Sequence, residues 1–374
     1  MGKAGLDQAK IDALVARARR EVDDGLLPSV QLALAYEGEL VVNEVFGDAA
    51  ADSRYCLYSA TKAIVASAFW TLISDGLVDI SRPVAHYLPE FGANGKDTVT
   101  VQQVLLHTSG FPNAPLPPSE WADQDKRLAR LASWRCEKEP GTRFIYHATS
   151  AHWVLAELIS RLTGRDFRDY IHERVTGPAG LPGMVGVLDE DQAQCQEMQL
   201  VGELATPEEI KATFGVEELI GRDMIEELVL WFNEPANRTV GVPGAGGFGR
   251  AADLALYYQE LLHNTHGIWE PEMLARGTGE VVSRLPDPMK IPANRSIGMI
   301  VAGDDGFSSS RGLGKTVSGR AFGHNGAGGQ LAWADPATGL SLGYTTNGFD
   351  RHEVRQPRRG AAIGSLAGLC RGDA

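Results

Sequence analysis

The chain predicts an α/β protein in which an antiparallel sheet is built from both termini and flanked by helices, with a mostly helical region inserted between. Three observations carry this. Strand-like runs lie near the start, at Val30 to Tyr36 and Leu40 to Phe46, and return after about residue 295. Between them the apolar spacing is mainly helical, and one helix opening at Ser59 is apolar on nearly every side and so belongs in the interior. On this pattern residues 1–75 and 295–374 form an α/β unit with terminal helices, residues 76–294 a mostly helical one, and the active site lies between them.

From about Asp7 to Asp24, Ile11, Leu14, Val15 and Ala18 fall at helical spacing. The two strand-like runs that follow are joined by Glu37-Gly38-Glu39 and read as a hairpin. The Ser59 helix carries Ala63, Ile64, Val65, Ala66, Ala68, Phe69, Trp70, Leu72 and Ile73 before a stop at Asp75-Gly76. A short helix from Val101 ends at Gly110, and another, marked by Trp153, Leu155, Leu158, Ile159 and Leu162, ends at Gly164. The stretch from about Met184 to Glu234 is acidic and weakly patterned, with a helix expected over Arg222 to Phe232. Ala251 to Leu262 has helical spacing. Strands are expected at Ser296 to Ala302, Thr316 to Phe322, Gln330 to Trp333 and Leu340 to Thr345, with a turn at Asp335 to Gly339 and a closing helix over Arg359 to Leu369.

The 374 residues are 43% hydrophobic, enough for a large core, and their formal charge of -13 offers no basic stripe for nucleic acid or an anionic membrane. Met1 to Asp7 lacks the apolar core of a signal peptide and no run reaches membrane-spanning length, so the expected location is cytoplasmic. Cys56, Cys136, Cys195 and Cys370 lack metal-type spacing and are expected as reduced thiols, Cys56 as small core filling. Gly244 to Gly249 formally matches G-x-G-x-x-G, but Pro235 to Pro243 before it reads as a loop where a dinucleotide site needs a buried strand. No cofactor and no metal are expected; His263 and His266 have no third ligand.

Chemistry points to Tyr58-Ser59-Ala60-Thr61-Lys62. Residues three apart share a helical face, so the Ser59 hydroxyl and the Lys62 amine can meet. A serine needs a neighbouring base, and a lysine serves as one only after losing its proton, which burial and the positive end of a helix both favour. The same helix start offers free N–H groups for an oxyanion.

Ser59-x-x-Lys62, Tyr146-His147-Ala148 and His324-Asn325-Gly326 stand in a fixed order, with Leu105 to Gly110 and Pro140-Gly141-Thr142 between. This set resembles the serine beta-lactamase and penicillin-binding-protein superfamily, in the branch of class C beta-lactamases, D-alanyl-D-alanine carboxypeptidases and family VIII carboxylesterases. The resemblance implies that Ser59 is the acylated nucleophile and that Lys62 and Tyr146 are its acid/base partners, either of which could be the base. The two should titrate as a coupled pair. It also implies that His324-Asn325-Gly326 occupies the family's Lys-Thr-Gly position, with the Ala327 N–H as second oxyanion donor opposite that of Ser59. Lys315-Thr316-Val317 is the rival for that position but lacks its glycine. His107 is expected to be structural.

Two departures bear on substrate. Ala148 stands where the family often has Asn or Ser, and His324 replaces a permanent cation with a group mostly neutral at pH 7. Both fit an uncharged ester better than an acylamino carboxylate. The expectation is a serine carboxylesterase for small or medium acyl esters. A beta-lactamase, a D-amino-acid peptidase, an acyltransferase and an inactive binding protein are the alternatives. No G-x-S-x-G occurs. Oligomeric state is not legible.

Overall fold

The computed structural model describes residues 5–216 and 222–372, with side chains except at 222 and 223. Helix α1 (Gln8–Asp23) starts where the Asp7 carboxylate accepts from the Lys10 N–H, and its buried stripe is Ile11, Leu14 and Ala18. The expected hairpin follows as β1 (Ser29–Tyr36) and β2 (Glu39–Gly47), turned by Glu37 and Gly38, both left-handed. Helix α2 (Thr61–Ser74) is buried from Thr61 to Leu72. Helix α3 (Ser150–Thr163) packs beside it and ends at left-handed Gly164.

The C-terminal part returns as β3 (Ile300–Val301), β4 (Phe322–Gly323), β5 (Leu331–Asp335) and β6 (Leu340–Thr346). Together they make a six-stranded sheet of order β2-β1-β6-β5-β4-β3, antiparallel at every pairing. The two ends of the chain meet at β1 and β6, where Val30 lies opposite Thr346.

All eight residues of β1 are buried, because both faces of the sheet are covered. Leu32 and Leu34 join Trp333, Leu342 and the two terminal helices, α1 and α5 (Arg355–Gly368). Ala33 and Ala35 face the other way, toward Ala251, Ala252 and Ala255 of α4 (Ala251–His263). Small residues let that helix approach: a Cβ on Gly343 of β6 would stand 2.0 Å from the Ala251 carbonyl oxygen. Period-two alternation of large and small side chains thus sorts the two layers. The closing helix is tied down by Arg359, which donates to Glu21 of α1 and, at 2.7 Å, to Asp350.

Four expectations need correction. Ser59 is not inside the α-helix but in a 3₁₀ turn, Tyr58–Ala60, that leads into it. Only Phe322 of the run from Thr316 is in a strand, since Ser318 spends its N–H and hydroxyl on the Asp335 carboxylate and Thr316 donates to the Ser365 carbonyl. Ser296 to Ala302 yields only Ile300–Val301, because the chain turns tightly at left-handed Gly298. Pro235 to Pro243 is mostly a helix, Pro235–Val240: Pro235 is its first residue and left-handed Gly241 its stop, so the apparent loop signals are its end signals. Among the described residues no helix is long and apolar enough to cross a membrane.

Candidate active site

The two-residue strand Tyr55–Cys56 pairs with Phe248–Gly249, and the chain then turns at Tyr58, which is left-handed (φ 45°) without being glycine. Such backbone persists only where surroundings impose it. Here the Tyr58 ring packs edge-on to Phe232 and its hydroxyl donates to the Val229 carbonyl at 2.9 Å. Ser59 stays partly exposed between buried neighbours.

Lys62 is wholly buried. Its Nζ donates to the carbonyls of Ala148 (2.7 Å) and Gly244 (2.6 Å) and lies 3.2 Å from Ser59 Oγ. A neutral amine has two N–H bonds and one lone pair. In that form, with both N–H groups given to carbonyls, the lone pair is left for the Ser59 hydroxyl, whereas the ammonium donates to all three oxygens. Burial pushes the Lys62 ammonium below its usual range; the Tyr146 phenol oxygen, which attracts the ammonium and accepts from it, opposes this, and repulsion from Arg295 adds to it.

The Tyr146 ring centroid is 4.9 Å from Lys62 Nζ, and the ring stacks on His107 at 4.9 Å. His107 is left-handed and buried, and its Nδ1 accepts from the His147 N–H at 3.1 Å, which fixes the backbone beside Tyr146. Opposite lies His324, its ring centroid 6.0 Å from that of Tyr146, held by its N–H on Ala332 O and the Tyr258 hydroxyl. Gly326 and Ala327 follow, Ala327 opening a 3₁₀ turn (Ala327–Gly329) at the exposed edge. Beyond that turn is a cavity of about 470 Å³ walled in part by Ala327, Leu331, Phe349 and Pro357; Ser59, Lys62 and Tyr146 do not line it.

The structure therefore brings Ser59, Lys62, Tyr146 and His324 to one place, with Gly326 against the Ser59 segment. Lys315 is elsewhere, its N–H on Ser365 of α5. His266 pairs with Glu260 at 2.9 Å, and among the described residues no cluster fits a metal ion.

Sequence reasoning missed three contributors. The glycine-rich stretch, read as structural, also supplies the Gly244 carbonyl to Lys62, while the Gly247 N–H donates to Thr61 Oγ1 at 2.9 Å. The Ala148 carbonyl is the second acceptor. Arg295 places its guanidinium 5.7 Å from the Tyr146 ring. A backbone carbonyl leaves no mark in sequence, and nothing local distinguishes Arg295 among 35 Lys and Arg residues.

The chain is 29% identical over 319 residues to "Esterase/beta-lactamase LipL" of Mycobacterium tuberculosis, covering 79% of this chain and 70% of that one. A solved family VIII carboxylesterase superposes with TM-score 0.73 at 27% identity, covering 95% and 97% of the two chains. A penicillin-binding protein homologue from Caulobacter crescentus has the same fold, with TM-score 0.76 at 24% identity and 96% of each chain covered. The family described as Beta-lactamase matches residues 11–365, so the chain belongs to the beta-lactamase family.

Proposed function

We propose that the protein is a serine carboxylesterase acting on small or medium acyl esters. The observation that carries this is Lys62: a buried amine held by two backbone carbonyls with its nitrogen 3.2 Å from Ser59 Oγ. In this reading Ser59 Oγ attacks the ester carbonyl as its proton passes to the Lys62–Tyr146 pair, and the N–H groups of Ser59 and Ala327 receive the oxyanion. Collapse breaks the acyl C–O bond, and the pair returns the proton to the departing alkoxide. Water then attacks the acyl-enzyme, releasing the acid and restoring Ser59.

The ester preference rests on Ala148, whose methyl group cannot bond a substrate amide, and on His324, held neutral by burial where a fixed cation would recognise a carboxylate. Names of similar proteins, an esterase/beta-lactamase and a family VIII carboxylesterase, agree with it. The test offers a short-chain nitrophenyl ester, a chromogenic cephalosporin and a D-alanyl dipeptide to the wild type and to Ser59→Ala. Ester turnover that dies with Ser59→Ala supports the proposal. Turnover that survives it removes the nucleophile, and preference for the dipeptide or the cephalosporin replaces the esterase by its relatives.

A further inference from the structure

We propose that Arg295 is a positioning residue for this reaction: the buried cation that sets the protonation of the Lys62–Tyr146 pair. The inference rests on the serine-hydrolase reading above. Arg295 is 6% exposed, and among the described residues its Nε and Nη1 have no hydrogen-bond partner. Its guanidinium carbon lies 5.1 Å from the Phe144 ring centroid and 5.7 Å from that of Tyr146. Among the described residues no carboxylate pairs with it; the attraction acting on its charge comes from the Tyr146 phenol. Its backbone is fixed by a bridge to Ser283, with Arg295 N on Ser283 O at 2.9 Å.

The other groups facing this space are Lys62 from α2, His107, His147, His152 from α3 and His324 after β4. Burial keeps all four imidazoles below their usual range, so they bring no charge at neutral pH. Among the described residues that leaves Arg295 as the fixed cation beside two proton-exchanging groups, the Lys62 amine and the Tyr146 phenol. A buried, unneutralised guanidinium costs stability, which marks it as retained for the site. Its field favours loss of a proton from the Lys62 ammonium. Arg295 thereby makes the amine of the Lys62–Tyr146 pair available at lower pH.

The experiment measures kcat/KM against pH for a short-chain nitrophenyl ester with the wild type, Arg295→Lys, Arg295→Gln and Arg295→Met, alongside thermal melting and labelling of Ser59 by a phosphonate probe. The acid limb should move up by about one pH unit or more in the Met and Gln variants. Their melting temperature should be unchanged or higher, and Arg295→Lys should recover most of the shift. An unmoved limb in a folded Met or Gln variant overturns the proposal, as does an effect confined to KM for a carboxylate-bearing ester, which would make Arg295 a substrate contact. Normal Ser59 labelling with an unmoved limb defeats this inference alone; a wild type that neither turns over ester nor labels at Ser59 defeats the hydrolase reading and this one with it.

Discussion

Gly326 lies so close to Leu57 that a Cβ built on it would stand 2.2 Å from the Leu57 carbonyl oxygen and 3.0 Å from the Gln330 Cβ. Its φ of -107° suits any residue, so the glycine is there for proximity and not for backbone freedom. This contact seats the turn after β4 against the segment that carries Ser59, and Gln330 reinforces it by donating to the Cys56 and Thr346 carbonyls.

Gly326→Ala should therefore push the Ala327 N–H away from Ser59. We expect kcat/KM for a nitrophenyl ester to fall by at least tenfold, with a stability loss of about 1–3 kcal/mol from overpacking. Parallel kinetics and urea titration check this; unchanged kinetics would show that the turn has no part in catalysis.

Arg359 of α5 ties two other elements together by donating to Glu21 of α1 and to Asp350 of the short strand Gly348–Asp350, all three residues buried. Arg359→Met removes the cation and leaves Glu21 with its partly exposed neighbour Arg17 and Asp350 with Arg355. Breaking such a buried network costs about 3–5 kcal/mol, to be read as a lower urea midpoint. A loss below about 1 kcal/mol would mean that the remaining arginines suffice.

His107, His152 and His324 are held well below the usual imidazole range and His147 at about 4, in each case chiefly by burial. The unfolded chain takes up protons on these groups below about pH 6.5 while the folded one does not. Stability is then full above that pH and falls as pH drops toward 4, with a slope of up to about 1.4 kcal/mol per pH unit per histidine. His152, with neither ring nitrogen hydrogen-bonded among the described residues, gives the clean control: His152→Phe should lessen the fall between pH 6.5 and 4.5. Melting curves across that range, with equal slopes in both proteins, would contradict it.

That Ser59, Lys62, Tyr146 and His324 lie together was legible because each stands in a short motif, and Lys62 because a cation in an apolar helix conflicts with its surroundings. The large-and-small alternation of Leu32, Ala33, Leu34 and Ala35 likewise wrote the two layers of the sheet into one strand. Arg295 and Gly244 were not legible, since their roles arise from residues more than 140 positions away being folded onto Tyr146 and Lys62. The run from Thr316 misled because Thr316, Val317 and Phe322 are residue types that suit a strand, while Ser318 and Thr316 hold it by side-chain bonds to other elements. Patterning reports a segment's own preference and not which neighbour claims its polar groups.

Ala148 offers a gain of function. Its carbonyl accepts from Lys62 while its methyl group is exposed at the site, so a longer side chain can be accommodated without disturbing the core. Ala148→Asn supplies the amide that the ester reading says is missing. A site that can hydrogen-bond an amide gains on substrates that carry one, by about 1 kcal/mol per bond made. We expect kcat/KM for a chromogenic cephalosporin to rise about fivefold relative to the nitrophenyl ester, with Ser59 still required. A ratio unchanged by Ala148→Asn would show that selectivity is set elsewhere, and the neutral His324 would be the next position to exchange.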